Sequence, residues 1–195
     1  MKVITQKIPD IKLIIPQRFG DVRGYFCETY NQRDLLAEGI DYQFVQDNQS
    51  RSNSVGVVRG LHYQKPPHAQ AKLIRVVHGS ILDVVVDIRH GSPYFGKHVS
   101  AKLTAEGGEQ LLIPTGFAHG FMTLEVETEV FYKATDFYSP NHEEGIQWND
   151  PDLNIKWSKE MAEEDITLSD KDKTLPRFKD ITDVFTYSSP EGEAS

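Results

Sequence analysis

His62 and His119 are the side chains of this sequence best suited to chemistry near neutral pH, because an imidazole exchanges a proton there. His62 lies in residues 58–64 and His119 lies in residues 113–120. Both segments are short, rich in β-branched or aromatic residues and punctuated by glycine or proline, which is typical of strands in a small barrel. Two histidines on facing barrel walls suit either a metal centre or metal-free acid–base catalysis.

The spacing around His119 has a recognisable form. Gly108, Pro114, Gly116 and His119 follow one another with five, one and two residues between them. This spacing resembles the second motif of the cupin barrels. A metal-binding cupin usually adds two histidines and a carboxylate from a first motif.

The segment around His62 lacks those additional ligands. His62 is followed by Tyr63 and Gln64, so a second histidine is missing from the motif. The next polar side chains are Lys65, His68, Gln70 and Lys72, and none of them is a carboxylate. Lys72 would also repel a bound cation. The sequence therefore predicts a barrel that uses acid–base catalysis and binds no metal.

Gly60 explains how two candidate side chains in one strand reach the same interior. Regular alternation places Arg59 and His62 on opposite faces of a strand. A β-bulge at Gly60 would turn both inward, and glycine is the residue expected at such a bulge. For His62 taken alone, a surface histidine beside a glycine is the favoured interpretation.

Ordinary structural explanations also exist for the other candidates. A lysine such as Lys72 is usually solvated, and a strand tyrosine such as Tyr132 is usually part of a core. Asp170 and Asp172 would by default belong to an exposed loop. Their combination with the cupin spacing is what favours a catalytic site.

Short strands dominate the secondary structure expected from the pattern. The predicted strands are residues 44–49, 55–61, 72–78, 81–89, 97–104, 110–114, 119–124 and 128–134. From residue 81 to 88, Leu82, Val84, Val86 and Ile88 share one face, and Asp83 and Asp87 point to the other. Residues 78–80 are expected to form a hairpin turn, residues 31–39 and 159–165 short helices, and residues 188–195 a frayed tail.

Composition limits the possible functions. A net charge of −8 argues against a nucleic-acid-binding surface. Cys27 is the single cysteine, so an intrachain disulfide is impossible and a reducing compartment is the simplest assumption. Residues 1–10 show no signal-peptide pattern, and the sequence has no apolar run long enough for a membrane span. A cytoplasmic protein with one domain over residues 1–195 is therefore expected.

These segments together resemble the dTDP-4-dehydrorhamnose 3,5-epimerase family, which belongs to the cupin superfamily. The matching segments, in the same order as in the family, are residues 19–24, 44–48, 59–64, 83–89, 113–121, 132–135, 148–150 and 168–172. The resemblance implies a mainly β fold, a cupin-type jelly-roll barrel with a few short helices. It also implies an isomerase that inverts carbons 3 and 5 of dTDP-4-dehydro-6-deoxy-D-glucose.

The resemblance assigns a role to each matched residue. It implies that His62 is the base, Tyr132 the acid, Asp172 the partner of His62, and Lys72 the cation beside the enolate. Asp170 remains the alternative to Asp172, since the two lie close together in sequence. The implied substrate-binding residues are Arg23, Glu28, Gln46, Asp47, Asn48, Arg59, His119, Tyr138, Glu143 and Lys171, with Tyr138 stacking on thymine and Asp83 orienting His119.

The same resemblance implies a homodimer whose subunits exchange N-terminal strands, so that Arg23 and Glu28 serve the neighbouring site. It implies no cofactor. Two alternatives remain open from the sequence: a single-site epimerase acting on a related nucleotide 4-keto sugar, and a metal-dependent cupin enzyme. A non-catalytic sugar-binding cupin is disfavoured because binding requires neither an acid nor a base.

Overall fold

The structure, a computed structural model, describes residues 1–158, 162–182 and 185–188. Its strands are β1 (Lys2–Thr5), β2 (Lys12–Ile15), β3 (Arg18–Asp21), β4 (Gly24–Cys27), β5 (Gln46–Ser52), β6 (Val58–Gln64), β7 (Lys72–His78), β8 (Ser80–Asp87), β9 (His98–Thr104), β10 (Gln110–Ile113), β11 (Phe117–Thr123), β12 (Thr128–Ala134) and β13 (Glu143–Gly145). Helix α1 spans Gln32–Ala37, and 3-10 turns span Glu163–Asp165, Asp172–Thr174 and Phe178–Asp180.

The strands form two main antiparallel sheets and a separate hairpin. The first sheet has the order β1-β2-β10-β7-β12-β5, and the second has the order β13-β6-β11-β8-β9. Strands β3 and β4 pair only with each other. The mainly β architecture predicted from the sequence is confirmed.

The main core lies between the two sheets. Ile74 and Val130 of the first sheet pack in one cluster with Val85 and Phe121 of the second. A second cluster joins the opposite face of β8 to Trp148 and other residues that follow β13. Both faces of β8 are therefore buried, and the alternation predicted for Leu82, Val84, Val86 and Ile88 is confirmed by their shared cluster.

Helix α1 closes the outer face of the first sheet. The Asn31 side chain accepts hydrogen bonds from the backbone amides of Arg33 and Asp34, which fixes the start of the helix. Gly39, with φ +75°, follows its end. Buried Leu35 packs with residues of β2, β7 and β10. The predicted helix over residues 31–39 is confirmed with slightly shorter bounds.

The hairpin predicted at residues 78–80 is wrong. Gly79 does make a tight turn with φ +75°, but β7 belongs to the first sheet and β8 to the second. The chain therefore crosses from one sheet to the other at this corner. Local pattern cannot separate the two cases, because both need a left-handed residue between two apolar strands.

Other boundaries differ in smaller ways. The strands predicted over residues 72–78 and 128–134 match β7 and β12, whereas those over 44–49 and 55–61 begin and end earlier than β5 and β6. Strands β1–β4 and β13 have only three or four residues, too few to show a clear period. Of the helix predicted over residues 159–165, residues 163–165 form a 3-10 turn, and residues 159–161 lie outside the described residues. The tail predicted over residues 188–195 also lies outside them, except for residue 188.

Candidate active site

A bulge in β6 directs Arg59 and His62 into one cavity. His62 pairs with His119 and Arg59 pairs with Phe121, so two residues of β6 lie opposite one residue of β11. Gly60 has φ +126°, and a Cβ atom there would lie 2.5 Å from the Gly120 Cα. No other residue type fits this contact without moving β11, and the predicted bulge is confirmed.

The cavity has a volume of about 480 Å³, within the usual range of small-molecule sites. Its walls contain eight of the residues singled out in the sequence: Arg59, His62, Lys72, His119, Tyr132, Glu143, Lys171 and Asp172. Residues that are more than a hundred positions apart in the chain thus meet in one place.

His62 is paired with a buried carboxylate. The His62 Nε2 atom lies 2.6 Å from Asp172 Oδ1, and Asp172 is only 4% exposed. Burial opposes ionisation of Asp172, but the hydrogen bond and charge of His62, helped by Ser169 and the Gly60 amide, hold its pKa below the usual value. A charged carboxylate at this distance fixes the orientation of the imidazole.

The structure also shows which of the two candidate aspartates, Asp170 or Asp172, contacts His62. Asp170 pairs with Lys173, and its side chain is 99% exposed. Asp172 points inward because it begins a 3-10 turn, where its backbone amide donates to the Ser169 hydroxyl. A parallel bridge between Val57 and Thr167 ties this segment to the start of β6.

Lys72 lies on the first-sheet wall of the same cavity. Burial lowers the pKa of its ammonium to about 8, although Glu143 and Asp83 act in the opposite direction. A lysine with this pKa is still largely charged at neutral pH. It is therefore a poorly hydrated positive charge in the wall of the cavity.

A second imidazole–carboxylate pair lies beside the first. His119 on β11 pairs directly with His62 on β6 in the same sheet, so the expectation that the two histidines lie on facing walls is wrong. His119 Nε2 is 2.9 Å from Asp83 Oδ2, and the two residues are 7% and 0% exposed. Burial lowers the pKa of His119, as do the charges of Lys72 and His62, while Asp83 raises it. The orienting role expected for Asp83 is consistent with this contact.

Tyr132 faces His62 from the opposite sheet. It lies on β12 of the first sheet with its side chain partly buried against the main core, whereas His62 lies on β6 of the second. Burial and the charge of Glu143 raise the pKa of the Tyr132 phenol, so it carries its proton at neutral pH. The cavity thus has an imidazole on one wall and a protonated phenol on the other, groups able to accept and to donate a proton.

Four predicted binding residues do not line the cavity: Gln46, Asp47, Asn48 and Tyr138. Tyr138 is linked to it through Glu143, which does line it. The Tyr138 hydroxyl donates to Glu143 Oε2 at 2.6 Å, and Glu143 forms an ion pair with Lys171. The Tyr138 ring is 55% exposed. Gln46 and Asn48 bond to each other, Gln46 also accepts from the Tyr138 amide, and Asp47 pairs with Lys133.

Arg23 and Glu28 are not brought to this cavity. Arg23 pairs with Asp21 on the exposed β3–β4 hairpin, and Glu28 accepts from Asn31 next to α1. Seven further residues line the cavity but were not singled out as site residues from the sequence: Ser50, Val57, Val58, Phe121, Thr167, Leu168 and Ser169. Of these, Phe121 could have been predicted, because it lies two residues after His119 and strand alternation places both side chains on the same face.

Neither a metal cluster nor a membrane helix is found among the described residues. Within residues 1–158, 162–182 and 185–188, no three His, Cys, Asp or Glu side chains are grouped to hold a metal ion. Over the same ranges, no helix has the length and apolar character needed to cross a bilayer. Each imidazole of the cavity instead has one carboxylate partner.

Comparison with known proteins identifies relatives along nearly the whole chain. The family model described as dTDP-4-dehydrorhamnose 3,5-epimerase matches residues 5–180. The dTDP-4-dehydrorhamnose 3,5-epimerase of Pseudomonas aeruginosa is 50% identical over 181 residues, covering 92% of this chain and 97% of that protein. The enzyme of the same name from Shigella flexneri is 49% identical with the same coverage.

A solved structure extends the likeness to three dimensions. The crystal structure of dTDP-6-deoxy-D-glucose-3,5-epimerase from Legionella pneumophila, in complex with dTDP-4-keto-L-rhamnose, has a TM-score of 0.90 and 41% sequence identity. It covers 96% of this chain, and the match includes 99% of that one. The predicted cupin-type barrel is therefore confirmed.

Proposed function

The chain belongs to the dTDP-4-dehydrorhamnose 3,5-epimerase family, and we propose that its cavity carries out the family's reaction with His62 as base and Tyr132 as acid. The protein is an isomerase that inverts carbons 3 and 5 of dTDP-4-dehydro-6-deoxy-D-glucose and gives dTDP-4-dehydro-L-rhamnose. The observation that carries the mechanism is the His62–Asp172 pair on one wall of a cavity whose opposite wall holds Tyr132.

His62 acts as the general base. The C–H bond next to the C4 keto group breaks, its proton goes to the imidazole, and its electron pair forms a C=C bond as the carbonyl oxygen becomes an enolate. Asp172 holds the ring in place and stabilises the imidazolium that results. A positioned base of this kind typically contributes about 10²–10⁴-fold to the rate.

Lys72 stabilises the enolate, and Tyr132 completes the inversion. The Lys72 ammonium supplies positive charge inside the cavity, where water screens it little. Tyr132 then donates its proton to the same carbon from the opposite face, which restores the ketone with inverted configuration. Exchange with solvent returns the proton of Tyr132 and removes that of His62 before the second carbon reacts.

The charge state of Lys72 predicts the alkaline limb of the pH profile. Because its pKa is about 8, the ammonium loses its proton as the pH rises through this value, and kcat/KM is expected to fall about tenfold for each further pH unit. Tyr132 does not cause this limb, since its pKa is raised above the usual tyrosine value. The measurement is kcat/KM from pH 6 to 10.

The matched control is Lys72→Arg, because a guanidinium stays charged over this whole range. Whatever its absolute rate, this variant should show no fall near pH 8. A fall that persists unchanged in Lys72→Arg would assign the limb to another group.

The remaining residues bind the nucleotide sugar. Arg59 presents a guanidinium suited to phosphate, and Tyr138 offers an exposed aromatic face for the base. Glu143, Lys171 and His119 complete the sugar and phosphate contacts, with Gln46, Asp47 and Asn48 along the neighbouring strand. These roles follow the family resemblance and are supported by the position of the residues in or beside the cavity.

A homodimer explains the residues that do not reach this cavity. The β3–β4 hairpin, which carries Arg23, exposes Phe19, Tyr25 and Phe26, each of them more than half exposed. Such an apolar surface favours burial in a partner, where Arg23 and Glu28 would enter the neighbouring site. Sedimentation equilibrium tests this proposal, and a monomer at micromolar concentration would contradict it. The single-domain organisation and the cytoplasmic location stay predictions.

The alternative is a single-site epimerase with the same base and acid. Product analysis by proton NMR separates the two, because inversion at C3 alone, at C5 alone or at both carbons gives three different sugars. We expect the sugar inverted at both C3 and C5.

A further inference from the structure

Tyr138 lies in a short exposed connection between β12 and β13. Its ring is 55% exposed, and its hydroxyl is held by Glu143. An exposed aromatic ring binds a flat base well only if its backbone is already fixed, since ordering it on binding would cost affinity. The residues that fix this backbone therefore matter for nucleotide binding.

Gln64 holds the backbone on both sides of Tyr138. Its Nε2 atom donates to the Phe137 carbonyl oxygen at 3.1 Å, and its Oε1 atom accepts from the Ser139 amide at 2.7 Å. The second Nε2 hydrogen goes to the His68 carbonyl oxygen at 2.7 Å. The side chain is 5% exposed, so water cannot easily replace these bonds.

The position of Gln64 links the connection to the catalytic strand. It lies two residues after His62 on β6 and pairs with Glu143 of β13. Two further glutamines support the same backbone: Gln46 of β5 accepts from the Tyr138 amide, and Gln70, just before β7, donates to the Asp136 carbonyl oxygen. Among the residues that the structure describes, only the Gln64 side chain is hydrogen-bonded to the backbone on both sides of Tyr138.

We propose that Gln64 is a positioning residue that presents the Tyr138 ring to the base of the nucleotide. This inference rests on the proposed function, in which Tyr138 stacks on that base. The base lies far from the reacting carbons and contributes equally to the ground state and the transition state. Loss of Gln64 therefore weakens binding and raises KM, while kcat changes little.

The experiment measures the Kd for dTDP by calorimetry, together with kcat and KM, for two variants. Gln64→Met keeps the size of the side chain and removes all three hydrogen bonds; Kd and KM are expected to rise about tenfold, with kcat within about twofold. Gln64→Glu keeps the acceptor for Ser139 and places a carboxylate oxygen against the other carbonyls, so a similar loss is expected. The control is Gln49→Met, an exposed glutamine of β5 bonded to Glu129, which should change neither constant.

A double-mutant cycle separates this role from a general structural one. In a Tyr138→Ala background, Gln64→Met should add little to the loss of dTDP affinity, because the ring that it positions is gone. A full tenfold loss in that background, or a fall in kcat with Kd unchanged, would overturn the inference alone. If Tyr138→Ala itself leaves the Kd for dTDP unchanged, the proposed nucleotide site is wrong, and this inference fails with it.

Discussion

His62→Ala is expected to lower kcat by roughly 10²–10⁴-fold, the range typical of a lost general base. The reason is that the His62 imidazole lines the cavity and is held by the buried Asp172 carboxylate at 2.6 Å, so the substitution removes the proposed base together with its charge partner. The affinity for dTDP should stay within about twofold, because the imidazole lies among the groups assigned to the sugar. The measurements are steady-state turnover and dTDP calorimetry on the same protein sample.

His78→Ala is the matched control for this prediction. His78 is exposed at the corner between the two sheets, bonded to the Glu127 carbonyl oxygen, and it does not line the cavity. Its replacement should leave turnover unchanged. Exchange of the C5 proton at the wild-type rate in His62→Ala would remove His62 from the role of base.

Tyr132→Phe is expected to separate proton exchange from inversion. The phenyl ring keeps the packing against the core but has no proton to donate, so product formation should fall by about 10²-fold or more. His62 and Lys72 remain in place, so the substrate should still exchange its proton with D₂O on the original face. Proton NMR in D₂O measures both quantities in one sample, since washout of the substrate signal and appearance of the product are resolved separately.

Tyr94→Phe provides the comparison for this variant. Tyr94 and Tyr132 both pack, partly buried, against the same core cluster, and only Tyr132 lines the cavity. Tyr94→Phe should therefore convert substrate at the wild-type rate. Unchanged product formation in Tyr132→Phe would exclude the phenol from the mechanism.

Local sequence pattern predicts the parts of this site that depend on neighbouring residues. The bulge follows from Gly60 between Arg59 and His62, because two candidate side chains at that spacing share a face only if one extra residue is inserted. The inward position of Asp83 follows from the alternation of β8. Both features depend on a single strand, which is why they are visible without the fold.

Features that depend on distant contacts are not visible in this way. Asp170 and Asp172 have the same type and the same parity, and only the 3-10 turn and the bridge to β6 decide which one is buried. The corner at Gly79 resembles a hairpin because the sequence does not show which sheet each strand joins. Gln64 gives no signal at all, since two of its three bonds reach residues more than seventy positions away.

Metal-independent double epimerisation is tested by incubating purified, chelator-treated protein with dTDP-4-dehydro-6-deoxy-D-glucose in D₂O and recording proton NMR spectra. We expect loss of both the C3 and the C5 proton signals at the same rate as without chelator, together with formation of the L-rhamno product. Loss of activity that returns on adding iron, manganese or zinc would contradict a metal-independent His62–Tyr132 mechanism. Loss of only one of the two signals would contradict the double epimerisation.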